Sequence, residues 1–359
     1  MKTLNLPENN YLNEVLLNLE KKNVSDIHLQ SGGGIYYRLL GSVNKMESEK
    51  APSDVDLVEY LKPILDGNIS SKFKEDMLVD FAFGSSNHVR YRANLYRSST
   101  GLSLALRRIS NKVFGFDELG IPSIMEKISS LQKGLVIVSG STGSGKSTTL
   151  TAIIDYINSN FKKHIITIED PIEFVHKNKQ SLINQREVGV SAKNFNYGVI
   201  SALREDPDVI LIGEIRDSMT IKECLRAAET GHLVFTTLHT QTAAKAVDRI
   251  VDSCDAGEKD LVRIMLSTSL QAVISQKLLK RKDNSSMVAA YEILLGTGAI
   301  RNLIRENKIG QIDSMIQTGS KYGMINMETS IKNLFEAGII EKSEMDANLV
   351  NVNDVENDK

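Results

Sequence analysis

A glycine-rich loop between two apolar segments constrains the fold of this chain more than any other part of its sequence. Residues 135–157 read LVIVSGSTGSGKSTTLTAIIDYI, which is an apolar run, a loop with three glycines and then apolar residues at helical spacing. A short run that is apolar at every position is typical of a buried strand in a parallel sheet. Strand, glycine loop and helix in immediate succession therefore predict an α/β domain.

The loop has the spacing GxxxxGKS, which is the pattern of a phosphate-binding P-loop. Its glycines allow the backbone to curl, so that N–H groups and the helix N-terminus face the phosphates. Lys146 is predicted to reach the β- and γ-phosphates, and the Ser147 hydroxyl to bind Mg²⁺, so ATP and Mg²⁺ are the predicted cofactors. The predicted nucleotide-binding residues are Ser141, Thr142, Gly143, Ser144, Gly145, Lys146, Ser147 and Thr148.

Two acidic clusters could supply the carboxylate that orients an attacking water. In DPDVILIGEIRD, Glu214 follows the strand 209–212 and so lies at the carboxyl end of a parallel strand, where ligands bind in such sheets. Glu214 is the predicted general base. In HIITIEDPIEF, Glu169 follows the strand 165–168 and is the predicted metal-side acid, because carboxylates hold Mg²⁺ through its waters. Either acid could instead cap a helix or lie at the surface of a strand end.

Two histidines flank a further apolar run. In ETGHLVFTTLHTQTA, His232 and His239 lie at the two ends of the strand 233–238. A neutral imidazole at such a position could donate to the γ-phosphate and respond to its loss. A buried histidine with a purely structural partner is the alternative.

The chain before residue 112 has a different pattern from the rest. A helical segment near the start is followed by alternating runs such as VRYRANLY at 89–96, which predict strands with one polar face. We therefore expect an α+β domain over residues 1–111 and a linker at 112–122. A P-loop domain with C-terminal helices should cover 123–348, and a disordered tail 349–359.

The bulk composition excludes several classes of protein. The chain has 43 Lys and Arg against 45 Asp and Glu, so it lacks the basic excess of most nucleic-acid-binding proteins. Its two cysteines, Cys224 and Cys254, cannot form a tetracysteine zinc site and fit a reducing compartment. No apolar run approaches roughly 18 residues. We expect a cytoplasmic protein with no direct membrane insertion and no nucleic acid as partner.

The segment TGAIRNLIRENKI at 297–309 lies far from the predicted site yet has a marked pattern. Ile300, Leu303 and Ile304 form an apolar stripe at helical spacing, whereas Arg301 and Arg305 share another face. Like charges four residues apart repel by roughly 0.2–0.5 kcal/mol, so the pair stabilises no isolated helix. The two guanidiniums either have a partner elsewhere or form a solvated face.

Four of these segments resemble the boxes of the secretion and type IV pilus ATPase superfamily, whose members carry Walker A, Asp box, Walker B and His box in this order. Here the boxes read GSTGSGKST, TIEDPIEFVH, DPDVILIGEIRD and TGHLVFTTLHT. AIRNLIRE is similar to the signature of the pilus retraction ATPases of the PilT type, in which it is needed for retraction rather than for hydrolysis. Its residues here are Ala299, Ile300, Arg301, Asn302, Leu303, Ile304, Arg305 and Glu306.

The resemblance implies a PAS-like N-terminal domain joined flexibly to a RecA-like ATPase domain, and a homo-hexameric ring. It implies a motor that drives pilus retraction from the cytoplasmic face of the inner membrane, on a pilus platform protein. It also implies that N-terminal-domain arginines, here Arg92 and Arg107, reach the phosphates. A guanidinium offers fixed, forked donors to charge that develops on phosphoryl oxygens, so both would act as arginine fingers. Each could instead lie on the solvent face of a strand.

Other functions remain open from the sequence. The nearest is an assembly or secretion ATPase of the same superfamily, although such proteins commonly carry a tetracysteine zinc subdomain. A RecA-like nucleic-acid motor needs a basic face with aromatic side chains, and this chain has no tryptophan. A scaffold that binds ATP without cleaving it would not need Lys146, Glu169 and Glu214 together.

Three positions depart from the pattern of the family. Ser141 replaces a usual proline, Thr236 a common glycine and Thr100 a frequent arginine. The first change is mild, because the loop glycines remain. Thr236 is expected to place a side chain beside the nucleotide and to alter the rate.

Overall fold

Two sheets organise the chain, one in each of the units into which it divides, Met1–Lys112 and Val113–Lys359. The computed structural model describes residues 5–22, 24–39, 42–47, 50–65, 67–109, 113–283 and 286–349. Lys112 of the predicted linker and residues 350–359 of the predicted tail lie outside these ranges.

The first unit contains one antiparallel sheet. Its strands are β1 (Asp26–Gln30), β2 (Gly34–Leu39), β3 (Ser42–Lys45), β4 (Leu78–Gly84), β5 (Arg90–Ser98) and β6 (Gly101–Ile109). They lie in the order β3-β2-β1-β6-β5-β4. The helices are α1 (Tyr11–Glu20), α2 (Asp54–Leu61) and α3 (Gly67–Asp76).

The two faces of this sheet differ because side chains alternate along each strand. Ile27 and Leu29 of β1 pack with Tyr91 of β5 and with Leu16 of α1 in a buried core. The intervening positions form the polar face, to which Asp26 of β1 contributes. The predicted strands with one polar face are thus confirmed, and Asp26, Arg92 and Arg107 lie on that face.

The second unit contains a mostly parallel sheet. Its strands are β7 (Gly134–Ser139), β8 (His164–Glu169), β9 (Leu182–Glu187), β10 (Val209–Ile212), β11 (Leu233–Leu238), β12 (Leu270–Lys280) and β13 (Met287–Leu295). They lie in the order β13-β12-β7-β11-β10-β8-β9, and β13 at the edge is antiparallel.

Helices cover the second sheet. They are α4 (Phe116–Leu119), α5 (Ile124–Ser129), α6 (Lys146–Asn160), α7 (Phe195–Ala202), α8 (Ser218–Glu229), α9 (Ala243–Asp252), α10 (Lys259–Ser269), α11 (Gly298–Arg305), α12 (Ile312–Thr318), α13 (Met327–Glu336) and α14 (Lys342–Leu349). Within the described ranges, no helix combines the length and the apolar character needed to cross a bilayer.

Both faces of the second sheet are buried, which explains the unbroken apolar runs. Along β7, Leu135 and Ile137 belong to one hydrophobic core, and Val136 and Val138 to another on the opposite face. The predicted α/β class with a parallel sheet is confirmed.

The strand order determines which side chains can meet. Strand β11 lies between β7, which leads into the glycine loop, and β10, which leads to Glu214. Strand β8, which ends at Glu169, lies beyond β10. Because these strands are parallel, their carboxyl ends lie along one edge of the sheet, where ligands bind in such folds.

The described part of the predicted linker, residues 113–122, is packed rather than open. Helix α4 lies within it, and the ring of Phe116 stacks on Tyr156 of α6 with centroids 4.8 Å apart. Leu119 and Ile121 also pack on a core of the second unit. The sequence does not reveal this packing, because a glycine and a proline flank a helix of one turn.

Helix α11 packs into a core of the second unit through its apolar stripe. Thr297 caps it by accepting a hydrogen bond from the Ile300 N–H. Ile300 and Ile304 are fully buried, whereas Arg305 is exposed. The stripe predicted from the sequence is therefore the part of this segment that holds the helix in place.

We expect Ile304→Ala to lower the free energy of unfolding by about 2–5 kcal/mol, because it leaves a cavity in a core. Arg305→Ala on the same helix should change it by no more than about 0.5 kcal/mol, because the side chain is exposed. Urea unfolding followed by circular dichroism measures both. Equal losses for the two variants would contradict the packing of α11.

Candidate functional site

The loop after β7 has the backbone of a phosphate cradle. Gly140, Gly143 and Gly145 have φ angles of 149°, 80° and 87°, which residues with a Cβ rarely adopt. A Cβ on Gly140 would lie 2.4 Å from Ser144 Oγ and 2.5 Å from the Gln276 carbonyl oxygen. Helix α6 begins immediately afterwards, so its unpaired N–H groups and dipole act at the loop.

Lys146 lies in this loop as a buried ammonium group. The residue is 8% exposed, and its Nζ donates to the carbonyl oxygens of Gly140 and Ser141, at 2.9 Å each. Burial lowers the pKa of Lys146, and the negative charges of Glu214 and Glu173 partly oppose this effect. A buried cation held by neutral oxygens is stabilised further by an anion.

The same loop contains a buried hydroxyl that suits a ligand. Ser144 Oγ is buried without a hydrogen-bond partner among the described residues. Buried polar groups are normally paired, so this oxygen is available to a bound group. Together with the glycine backbone and Lys146, it fits the phosphates of a nucleotide. Ser147, the second residue of α6, is exposed at the loop, as the predicted Mg²⁺ role requires.

Strand β12 supports the loop from below, which the sequence did not reveal. Gln276 is buried, and its Oε1 accepts a hydrogen bond of 2.8 Å from Thr149 Oγ1 in α6. One residue earlier, Ser275 Oγ lies 2.7 Å from Ser139 Oγ at the end of β7. The signal in the sequence is a polar SQ pair inside an apolar strand, but only the pairing of β12 with β7 gives it a partner.

Glu214 lies at the carboxyl end of β10, as predicted. Its side chain is 16% exposed, and its Oε2 lies 3.4 Å from His239 Nε2, beyond the end of β11. Its Oε1 forms an ion pair with Arg216. Because its charge also acts on Lys146, the carboxylate lies near the loop. A carboxylate in this position suits the acceptance of a proton from water.

The acidic cluster after β8 has two members with different surroundings. Glu169 Oε1 accepts from Thr167 Oγ1 at 2.6 Å and from Gln185 Nε2 at 3.1 Å. Burial raises the pKa of Glu169 in spite of these hydrogen bonds. Glu173 is exposed, and its charge acts on Lys146. The sequence pattern does not single out Glu173, because its place depends on the path of the loop after Pro171.

His232 lies at the wrong end of its strand for the predicted role. Its carbonyl oxygen accepts from the Gly134 N–H, where β7 begins, whereas the loop follows the other end of β7. Six strand residues span roughly 20 Å. The His232 Nδ1 lies 3.0 Å from the Ala227 carbonyl oxygen instead. Within one chain His232 is therefore at the far end of β11 from the loop, because parallel strands bring only one end to the site, and its predicted role at a phosphate stays a prediction.

The side chain of Thr236 is buried rather than open to a nucleotide, and its expected effect on the rate stays a prediction. Thr236 is fully buried within β11, with its Oγ1 unpaired among the described residues. The neighbouring Thr237 donates its hydroxyl to the Gly213 carbonyl oxygen and so ties β11 to the end of β10. Thr237, rather than Thr236, is the threonine that contacts the segment carrying Glu214.

Arg92 and Arg107 lie opposite each other on β5 and β6 of the first unit. A cavity of about 350 Å³ is lined by both and by Asp26, His28, Asp80, Asn94, Ala105 and Leu106. Arg107 Nε donates to Asp26 Oδ1 at 2.8 Å. Their role as arginine fingers at a nucleotide stays a prediction.

The two arginines of AIRNLIRE have different surroundings. Arg301 is half-buried, with Nη2 directed at the Leu270 carbonyl oxygen and Gln271 Oε1 at 3.4 and 3.3 Å. Arg305 is exposed and bonds only weakly to Asn302 of its own helix, at 3.3 Å. The shared arginine face expected from the sequence is thus divided, because Arg301 turns towards the start of β12.

The chain matches known proteins over most of its length. The family model described as Type II/IV secretion system protein matches residues 5–329. A twitching motility protein of Neisseria gonorrhoeae is 54% identical over 268 residues, 75% of this chain and 72% of that protein. The type IV pilus retraction ATPase PilT of Pseudomonas aeruginosa is 46% identical over 332 residues, 92% of this chain and 96% of that protein.

A solved structure matches the fold. The crystal structure of the pilus retraction motor PilT with bound ADP has a TM-score of 0.87 at 39% identity, and the match covers 96% of this chain and 98% of that one. The glycine loop, the carboxylate at the end of β10 and the AIRNLIRE helix all fall within the matched family segment. The chain therefore belongs to the type II/IV secretion system protein family and, within it, to the pilus retraction ATPases of the PilT type.

Proposed function

We propose that this chain is a Mg²⁺-dependent ATPase motor that retracts type IV pili. It works as a homo-hexamer at the cytoplasmic face of the inner membrane and acts on a pilus platform protein. The observation that carries the proposal is the buried Lys146, held by carbonyl oxygens in a loop whose three glycines form an anion cradle, with the Glu214 carboxylate nearby. The relatives named for pilus retraction and twitching motility support the choice of motor.

Each residue of the site has a separate role in hydrolysis. The loop N–H groups and Lys146 hold the phosphates, and Ser147 offers its hydroxyl to Mg²⁺, which neutralises charge on the phosphate oxygens when bound. Glu214 orients the attacking water and accepts its proton. His239, 3.4 Å from Glu214, responds to the change of charge there.

Among the acids that follow β8, Glu173 is the one whose charge acts on Lys146. Glu169 is the metal-side residue predicted from the sequence, yet its Oε1 already accepts hydrogen bonds from Thr167 and Gln185. The charge of Glu173 acts on Lys146, and its side chain is exposed. We therefore assign to Glu173 the role of the second carboxylate beside the phosphates and Mg²⁺.

Hydrolysis is coupled to movement through charge. Arg92 and Arg107 bind the phosphates while these are present and lose an anion when phosphate leaves. In the proposed ring, loss of this anion lets one domain rotate against the next. This gives the motor a physical link from the cleaved bond to mechanical work.

We expect Glu214→Gln to lower kcat for ATP hydrolysis by about 10²- to 10⁴-fold, because the variant cannot accept the proton of the attacking water. The Kd for ATP should stay within about threefold of the wild-type value, because Gln keeps the shape of the side chain and removes only its ability to accept a proton. Phosphate release and binding of a fluorescent ATP analogue measure the two effects. Glu223→Gln, which alters an ion pair with Arg226 on α8, is the control and should behave as wild type. Unchanged hydrolysis in Glu214→Gln would refute the assignment of the base.

Glu173→Gln and Glu169→Gln separate the two acids after β8. We expect Glu173→Gln to lower kcat by at least about tenfold, because it removes a charge that acts beside Lys146. Glu169→Gln should cause a smaller loss. Steady-state hydrolysis at saturating Mg²⁺, with circular dichroism to check folding, measures both. The reverse order of effects would return the metal-side role to Glu169.

Arg305→Ala tests the link to retraction separately from hydrolysis. In a piliated host, cells with this variant should accumulate surface pili and lose twitching, because an exposed guanidinium available to a partner is removed. The ATPase activity of the purified protein should stay within about twofold of wild type. Lys308→Ala, which alters an exposed ion pair with Glu306, is the control and should twitch normally. Deletion of the gene should also give hyperpiliated cells, and bald cells would identify an assembly motor instead.

A further inference from the structure

A row of four charged side chains crosses the polar face of the first sheet. The strand register places Arg38 of β2 opposite Asp26 of β1, Asp26 opposite Arg107 of β6, and Arg107 opposite Arg92 of β5. Residues directly opposite each other on neighbouring strands point to the same face. The row therefore contains three guanidiniums and one carboxylate, with Arg107 and Arg92 side by side.

Asp26 is the anion of this row and is well anchored. Its side chain is 14% exposed, and its Oδ2 accepts a hydrogen bond of 2.8 Å from Ser25 Oγ and lies 3.9 Å from Arg38 Nε. Its Oδ1 accepts the 2.8 Å hydrogen bond from Arg107 Nε. Burial acts to raise the pKa of Asp26, but the hydrogen bonds from Arg107 and Ser25, together with the nearby charges of Arg107 and His28, leave the pKa below its ordinary value. The carboxylate is therefore ionised at neutral pH.

Arg107 is held at one nitrogen and exposed at the others. Its side chain is 71% exposed, and the bond from Nε to Asp26 is the hydrogen bond that it makes within the described ranges. A guanidinium has five N–H donors, four of them on Nη1 and Nη2. Those four donors remain for an anion. The cavity of about 350 Å³ that both arginines line is the space in front of them.

The neighbouring guanidiniums of Arg107 and Arg92 also indicate an anion. Like charges directly opposite each other across a strand pair are unfavourable. Asp26 offsets the charge on the Arg38 side of Arg107, but not between Arg107 and Arg92. A phosphate bound in the cavity relieves this repulsion through both side chains.

We infer that Asp26 is a positioning residue for Arg107: its carboxylate fixes the guanidinium through Nε, so that the Nη donors are presented together to a phosphoryl group. The inference rests on the proposed function, in which Arg107 is an arginine finger. Asp26 does not compete with the phosphate, because it bonds to the nitrogen that a forked Nη contact leaves unused. A guanidinium that is already held in position before the reaction stabilises the transition state more than it stabilises the bound substrate.

The test is a double-mutant cycle in the full-length protein. Asp26→Asn keeps the size of the side chain and removes its charge, and we expect kcat for ATP to fall by roughly 10- to 100-fold with KM within about threefold. In an Arg107→Ala background, the same change should alter kcat by less than about twofold, because the group that it positions is absent. Glu75→Gln removes a charge from the exposed surface of α3 in the same unit, at a residue that does not line the cavity, and should leave kcat near wild type. Circular dichroism checks the fold of every variant.

The outcomes separate the inference from the proposal on which it rests. If Arg107→Ala lowers kcat but Asp26→Asn does not, or if Asp26→Asn lowers KM, Asp26 does not position the finger and the inference fails alone. It also fails if Asp26→Asn is as harmful without Arg107 as with it, or if Glu75→Gln causes an equal loss. If Arg107→Ala leaves kcat unchanged, Arg107 is not a finger, and both the proposed role and the inference fall.

Discussion

The buried ammonium group of Lys146 is the constraint on which the second unit depends. Burying a charge is costly unless it is paired and hydrogen-bonded, and here two loop carbonyl oxygens supply the hydrogen bonds. The loop can present those carbonyls only because three glycines adopt positive φ angles. The loop backbone is held in turn by β12 beneath it, where a Cβ on Gly140 would meet the Gln276 carbonyl oxygen. The cradle therefore depends on a strand more than 130 residues later in the chain, as the 136-residue separation of the Ser139–Ser275 contact shows.

The order of the parallel strands converts this cradle into a site for chemistry. Because β11 lies between β7 and β10, the segment with His239 separates the loop from Glu214 and contacts the carboxylate. The hydroxyl of Thr237 ties the ends of β10 and β11 together. Glu169 lies one strand further away, with its carboxylate already hydrogen-bonded. Glu173 follows the same strand, but its charge acts on Lys146. The hydrogen-bond partners of each acid and the path of the loop after β8 thus distinguish these two acids.

The first unit carries a row of charged side chains and has no glycine loop like that of the second unit among its described residues. Its polar face carries guanidiniums that the register places side by side, with Asp26 as the anion among them. Helix α11 has the same arrangement, with apolar residues on one face and charged residues on another. Ile300 and Ile304 anchor it in the core, and Arg305 remains exposed. In both places, apolar side chains determine the position of the element, and the charged side chains on its other face are available for interaction.

The sequence by itself determined the features that depend on neighbouring residues. Glycines at fixed offsets between a buried strand and a helix define the phosphate cradle, and the 3.6-residue period of AIRNLIRE predicts which isoleucines are buried. The carboxyl-end position of Glu214 also follows from local pattern, because every parallel strand ends at the same edge. For that reason the fold class and the core of the site were predictable.

Only the tertiary structure decided which distant residues meet. His239 rather than His232 contacts Glu214, Gln276 supports the α6 end of the loop, Glu173 acts on Lys146, and Asp26 holds Arg107 across 81 residues of sequence. These contacts depend on strand order, register and the path of loops. Such properties follow from the packing of the whole sheet, because a side chain's neighbours across strands are not its neighbours along the chain.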